Sequence, residues 1–212
     1  MSPRPADPDL RNALIETAAR LISEHGSDGV SLRHLASEAG TSTMAIYTHF
    51  GGMKELHAAV RREGFDRLAQ HLSDVEETSD AVADLSLLGV AYTANAQKNP
   101  NLYRAMFMER PADKADAAVG SETFDQLLRA VERCVDARRF TQVTADELAL
   151  QLWALAHGLI ALHLAGMLGE ADVFAGLAGG ARNLFKAAGD DPRELGRSMA
   201  TAGRRLAEVR SS

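Results

Sequence analysis

"VSLRHLASEAGTSTMAIYTHFGGMKEL", residues 30–56, carries two short segments of helical pattern on either side of Ala39-Gly40, and its reading decides the fold. Ser31 stands where an N-cap oxygen would satisfy free N–H groups, and the segment after it makes about two helical turns before Gly40. Thr41 or Ser42 caps a third short helix through Tyr47, and "GGMKEL" opens a longer helix to about Ser73. Ala36 permits a close crossing, Gly40 can take the positive φ the turn needs, and Ile46 points inward. With Leu35, Ala39 and Phe50 they make a miniature core. That leaves Thr41, Ser42, Thr43, Met44, Ala45, Tyr47 and Thr48 outside. Two short helices joined by a glycine turn outline a helix-turn-helix, whose second helix lies in the major groove of DNA.

The same rules extend outward. From Leu10 to His25 the apolar positions Leu14, Ile15, Ala18, Leu21 and Ile22 recur at steps of three and four, as one buried helical face requires, and Gly26 and Gly29 close it. "VEETSD" (75–80) is polar and interrupts the pattern. Beyond it, helices are expected at about 80–98, 101–108, 122–137, 145–169, 172–188 and 193–208, with a loop over 109–121 and no strand. The expected fold is therefore all-α. It comprises a DNA-binding domain at 9–56, a connecting helix at 57–75 and a helical section at 79–212.

The opening stretch resembles the N-terminal DNA-binding domain of TetR-family transcriptional repressors, through its Ala-Gly turn, its Ser and its Tyr-x-His-Phe. "WALAHGLIALHLAG" (153–166) resembles the Trp-x-x-x-His-Gly motif of one C-terminal subgroup of that family. The resemblance implies that Ser31, Arg33 and Thr41 lie near the DNA backbone and that the helix from Ser42 to Thr48 enters the groove. It also implies that Tyr47 and His49 bind phosphate. The chemistry agrees: hydroxyls, a guanidinium and helix N-terminal amides suit phosphate oxygens, while Thr43, Met44 and Ala45 suit base edges and thymine methyls. The alternative for Tyr47, His49, Met44 and Arg33 is ordinary packing or a solvated charge. One departure stands out. Where the family places a Lys three residues after the Phe, this chain has Met53, and Lys54 follows. A shift of one helical position turns a side chain by about 100°. Lys54 remains a candidate phosphate contact, with the Gly51-Gly52 amides as a substitute.

Composition bounds the rest. With 212 residues, 46% hydrophobic and 25% charged, the chain suits a soluble globular protein with a sizeable core. A net charge of −6 argues against a generally basic nucleic-acid coat. Between residues 29 and 54, however, Arg33 and Lys54 face only Glu38, so acids avoid the proposed reading face. The start, "MSPRPADPDL", has no apolar run of export type, and a cytoplasmic location is expected. Cys134, the single cysteine, shares a helical face with Leu127, Leu128 and Val131 and is expected to be a buried thiol.

From Leu148 to Gly169 the sequence holds no charge, a length that could span a bilayer. Gln151, His157 and His163 interrupt the run, and its neighbours are amphipathic. A soluble helix apolar all round must be covered on all sides, so a second copy is expected to cover one. Ala161, Leu164, Leu168, Phe174, Leu177, Ala181 and Phe185 are the candidate dimer contacts, giving a four-helix interface and two reading helices for a palindromic site. Tyr92, Tyr103, Phe107, Phe124, Trp153 and His157 are candidate lining for an unidentified small-molecule effector, with ordinary core packing as the alternative. Metal and cofactor motifs are missing: no His-Glu-x-x-His, paired Cys, glycine-rich phosphate loop or Gly-x-Ser-x-Gly occurs, and no catalytic cluster has a recognisable spacing. The expectation is a DNA-binding regulator released by an effector. An all-helical ligand carrier or enzyme without DNA binding is the alternative.

Overall fold

A computed structural model describes residues 8–111 and 113–209, apart from the side chains of 115, 117 and 209. The described residues hold eleven α-helices and no strand. In chain order these are α1 (Pro8–His25), α2 (Leu32–Glu38), α3 (Thr43–Phe50), α4 (Met53–Ser73), α5 (Ala81–Lys98), α6 (Pro100–Phe107), α7 (Lys114–Ala118), α8 (Ser121–Asp136), α9 (Ala145–Leu164), α10 (Glu170–Ala187) and α11 (Pro192–Val209). Contacts divide the chain into two compact units, one of residues up to Arg67 together with Lys98–Ser121, the other of Leu68–Gln97 together with Glu122 onward.

The N-terminal unit is built around the face read from α1. Leu14, Ile15, Ala18, Leu21 and Ile22 meet Leu35, Ile46, Leu56 and Val60 in one apolar core. The division differs from the boundary expected near residues 75–80, because α6 joins this core through Leu102 and Ala105. Two further contacts hold the returning segment. A Cβ on Gly64 of α4 would come within 2.4 Å of the Met106 sulfur, so a larger residue there would displace the Met106 side chain. Arg61, buried, faces Asp116 of α7 at 3.1 Å and donates to the Met106 carbonyl. The expected loop at 109–121 thus contains a short helix, capped by the Asp113 carboxylate on Asp116 N–H at 2.9 Å.

The C-terminal unit packs Val82, Leu85, Val131, Cys134, Phe140, Leu148, Leu152, Phe185 and Leu195 into its own core. Helix α9 starts on a capping box, Thr144 Oγ1 accepting from Glu147 N–H and the Glu147 carboxylate accepting in return. It ends at Leu164, with Gly166 at φ 76°, several residues before the expected stop. Helices α9 and α10 lie against each other where Gly176 and Gly180 face Leu159 and Leu155; a Cβ would meet those leucines at 2.8 and 2.7 Å. Helix α11 is fixed by charge: Arg205 pairs with buried Asp84 at 2.5 Å, and Arg139 holds Asp190 in a two-point bond at 2.6 and 2.8 Å while donating to Ser198. Cys134 is fully buried, and burial pushes its thiol up to about 12.

Candidate nucleic-acid interface and effector cavity

The helix-turn-helix is assembled from its caps. Ser31 Oγ accepts from His34 N–H and Ser42 Oγ from Ala45 N–H, each at 3.2 Å, so each serine supplies one acceptor that its helix N-terminus otherwise lacks. Gly40 sits at φ 63°, and Thr41 N–H returns to the Ala36 carbonyl at 2.9 Å. Leu35 and Ile46 are fully buried and Ala36 nearly so, which locks α3 against α2. Gly51 at φ 91° ends α3 with its N–H on the Tyr47 carbonyl.

This inward anchoring turns the other side of α3 to solvent. Met44 is 71% exposed and Tyr47 50%; both are large, costly to leave in water, and adjacent on one face. Thr48 is exposed, its hydroxyl donating to the Met44 carbonyl at 2.9 Å. Thr43 and Ala45 are half-buried, Ser31, Arg33 and Ser42 exposed, and Thr41 half-buried. His49 is half-buried beside Phe50, and its Nδ1 is shielded from solvent without a hydrogen-bond partner. Two features of the electrostatics escape a linear reading. Glu38, the acid closest in sequence to the turn, pairs with Arg20 of α1 at 2.6 Å. Lys54 is not free: its ammonium lies 2.8 Å from the Asp113 carboxylate, which raises the lysine further.

The C-terminal unit holds a cavity of about 230 Å³ that opens to solvent. Tyr92, Phe124 and Trp153 line it together with Leu85, Leu88 and Met199, and none of its lining residues is charged. His157 stands behind this wall. Its Nε2 lies 2.8 Å from the Tyr92 hydroxyl and its ring 4.6 Å edge-on from Trp153, and burial lowers the imidazole to about 4. The ring is therefore neutral at physiological pH and lies in contact with both Tyr92 and Trp153.

Several expected residues lie elsewhere. Tyr103 and Phe107 do not line the cavity: they belong to α6 in the N-terminal unit and pack on each other, Phe107 also meets Phe65, and Tyr103 is 2% exposed. Of the expected dimer contacts, Leu177, Ala181 and Phe185 are buried in their own subunit, and Phe174 also lines the cavity. Ala161, Leu164 and Leu168 remain half-buried. The solvent side of α9 instead presents Leu150, Ala154, Gly158 and Leu162, and that of α10 presents Ala171, Ala175 and Ala178. By length and composition α9 is apolar enough to cross a membrane, yet Leu148, Leu152, Ala156 and Ile160 pack one side of it into the protein.

The profile of the bacterial regulatory proteins of the tetR family matches residues 14–60, covering the helix-turn-helix just described. That of the Tetracyclin repressor-like C-terminal domain matches residues 85–178. The chain belongs to the TetR family of transcriptional regulators. An uncharacterized HTH-type transcriptional regulator of Mycobacterium tuberculosis is 24% identical to this TetR-family chain over 165 residues, 76% of this chain and 73% of that one. The HTH-type transcriptional repressor AcnR of Corynebacterium efficiens is 38% identical over 64 residues, 30% of this chain and 34% of its own length. The TetR-family regulator PfmR of Thermus thermophilus shares the fold, with a TM-score of 0.70 at 18% identity over 82% of this chain and 97% of that structure. This TetR-family chain is a DNA-binding transcriptional regulator.

Proposed function

We propose that this regulator is a cytoplasmic repressor that binds palindromic double-stranded operator DNA as a homodimer and releases it when a small molecule enters the cavity beside Trp153. The observation that carries the DNA half is the exposure of Met44 and Tyr47 on a helix whose opposite side, Ile46, is fully buried. Arg33, Ser31, Thr41 and the α3 amides take backbone phosphates, and Thr43, Met44 and Ala45 read bases. Tyr47 and His49 complete the phosphate contacts. Lys54 joins them only when Asp113 lets it go.

For the dimer, the exposed apolar side of α9 with the small residues of α10 supports the reading, since a helix apolar all round needs a cover on each side. The contacts are Leu150, Ala154, Leu162, Ala175 and Ala178, with Ala161, Leu164 and Leu168 at the margin. The Trp153–His157 edge contact and the Tyr92–His157 bond support membership of the Trp-x-x-x-His-Gly subgroup, as a means of shaping one cavity wall. Helix α4 contributes residues to both units and is the element through which effector binding changes the spacing of the reading helices. A coupling of about 1–3 kcal/mol, usual for such pairs, changes DNA affinity roughly 5- to 150-fold.

The test is a gel shift of the full chain on genomic fragments at a series of salt concentrations. Sequence-selective retardation at moderate salt, weakened by Met44→Ala, is the expected result. No selective shift would favour the alternative of a ligand-binding protein without an operator.

A further inference from the structure

The cavity reading leaves the chemistry of the effector open, and its surroundings narrow it. A second cavity of about 390 Å³ adjoins the first, and Leu72 and Leu88 line both. Across these two leucines the lining changes character. On one side stand aliphatic and aromatic side chains; on the other stand Glu76, Asp84, Gln126, Arg129 and Arg133. Resting on the proposed effector role of the apolar cavity, we infer that the ligand is an amphiphile whose apolar body fills that cavity and whose uncharged or cationic head donates a hydrogen bond in the polar recess.

The size of the body follows from volume. An apolar cavity of roughly 150 Å³ holds benzene, so 230 Å³ suits roughly nine non-hydrogen atoms. The character of the head follows from which groups in the recess are already engaged. Arg133 donates to the Thr78 carbonyl at 2.6 Å and to Asp84 at 3.0 Å, and Arg205 takes the other Asp84 oxygen. That carboxylate is saturated. Gln126 Oε1 is shielded from solvent and has no hydrogen-bond partner. A shielded carbonyl oxygen without a donor is an unmet acceptor, and a ligand O–H or N–H pairs with it. A carboxylate head has no proton to offer there at neutral pH. Arg129, the remaining cation of the recess, is exposed, so water weakens its hold on an anion.

Trp153, the only tryptophan, lines the apolar cavity and reports on it directly. Titrating the full chain with 1-octanol, octylamine and octanoate while following Trp153 emission compares one body with three heads. The first two should bind about tenfold more tightly than octanoate, the discrimination one hydrogen bond to a shielded acceptor commonly provides. Gln126→Leu should bring the three within about threefold of one another, and Gln126→Glu, which keeps the volume, should strengthen octylamine selectively. Octanoate binding as tightly as 1-octanol, or a ranking unaltered by Gln126→Leu, would overturn the inference while leaving the apolar effector cavity standing. If none of the three alters Trp153 emission, both readings fall together.

Discussion

Met44, Tyr47 and Arg33 share one property: each is exposed on the helix-turn-helix. For Arg33, among the described residues no carboxylate pairs with the guanidinium, so a phosphate would be its first ionic partner. Arg33→Ala should therefore lower the slope of log affinity against log salt by about 0.9 for each phosphate that the guanidinium neutralises, measured by gel shift across a salt series. An unchanged slope would remove Arg33 from the interface. The same scale explains His157. Burial depresses its imidazole to about 4, below the ordinary value of about 6.5. As pH falls, the unfolded chain binds this proton first. Stability from the neutral ring is whole above about pH 6.5 and is lost as pH falls towards 4, at up to about 1.4 kcal/mol per pH unit. Across that window the melting temperature of the wild type should fall more steeply than that of His157→Gln, which does not titrate. Parallel curves from circular dichroism would show that the ring is not held neutral.

At the scale of elements, α7 matters more than its five residues suggest. Asp113 caps it and also holds Lys54, while Glu109 just before it accepts from Ser27 N–H at 3.0 Å. An acidic segment thus occupies a lysine of the DNA-binding unit. Asparagine caps as well as aspartate, so Asp113→Asn should leave α7 intact and release Lys54. DNA affinity should rise, with a steeper salt slope by about 0.9 per phosphate recovered; isothermal titration at two salt concentrations checks it, and weaker binding would contradict the competition. None of this is legible in the sequence, because Lys54 and Asp113 are joined only by the return of α6 and α7. Capping signals are legible, since a serine and the amide it satisfies lie three residues apart, and Ser31 and Ser42 sit at the starts of their helices. Tyr103 and Phe107 lie four apart on one helix and therefore share a face. That spacing does not tell which of two cores receives the face, so both residues are expected at the cavity while their helix packs on α1. Phe185 misleads in the same way: an apolar stripe on α10 looks the same whether it faces its own subunit or another.

For the whole molecule, the question of assembly falls on α9. Its inner side is satisfied by Leu148, Leu152 and Ile160 in the core, and its outer side leaves Leu150 at 54% and Leu162 at 43% exposed. Scattered exposed leucines need no explanation, but these two fall with Ala154 and Gly158 at four-residue steps along one exposed side of α9. Because neither leucine is buried within its own chain, Leu150→Asp with Leu162→Asp should leave the fold unchanged and act only on assembly. Sedimentation velocity should then find a species near 22.7 kDa where the wild type sediments at twice that mass, with an unaltered helical circular dichroism spectrum. DNA binding supplies a second readout that distinguishes a failure to dimerise from local damage. A two-fold dimer places two reading helices on half-sites about 34–36 Å apart, so a monomer engages half the phosphates and its salt slope should drop to roughly half. A double variant that still sediments as a dimer would move the interface off this face, and a monomer that keeps the full slope would show that one reading helix suffices.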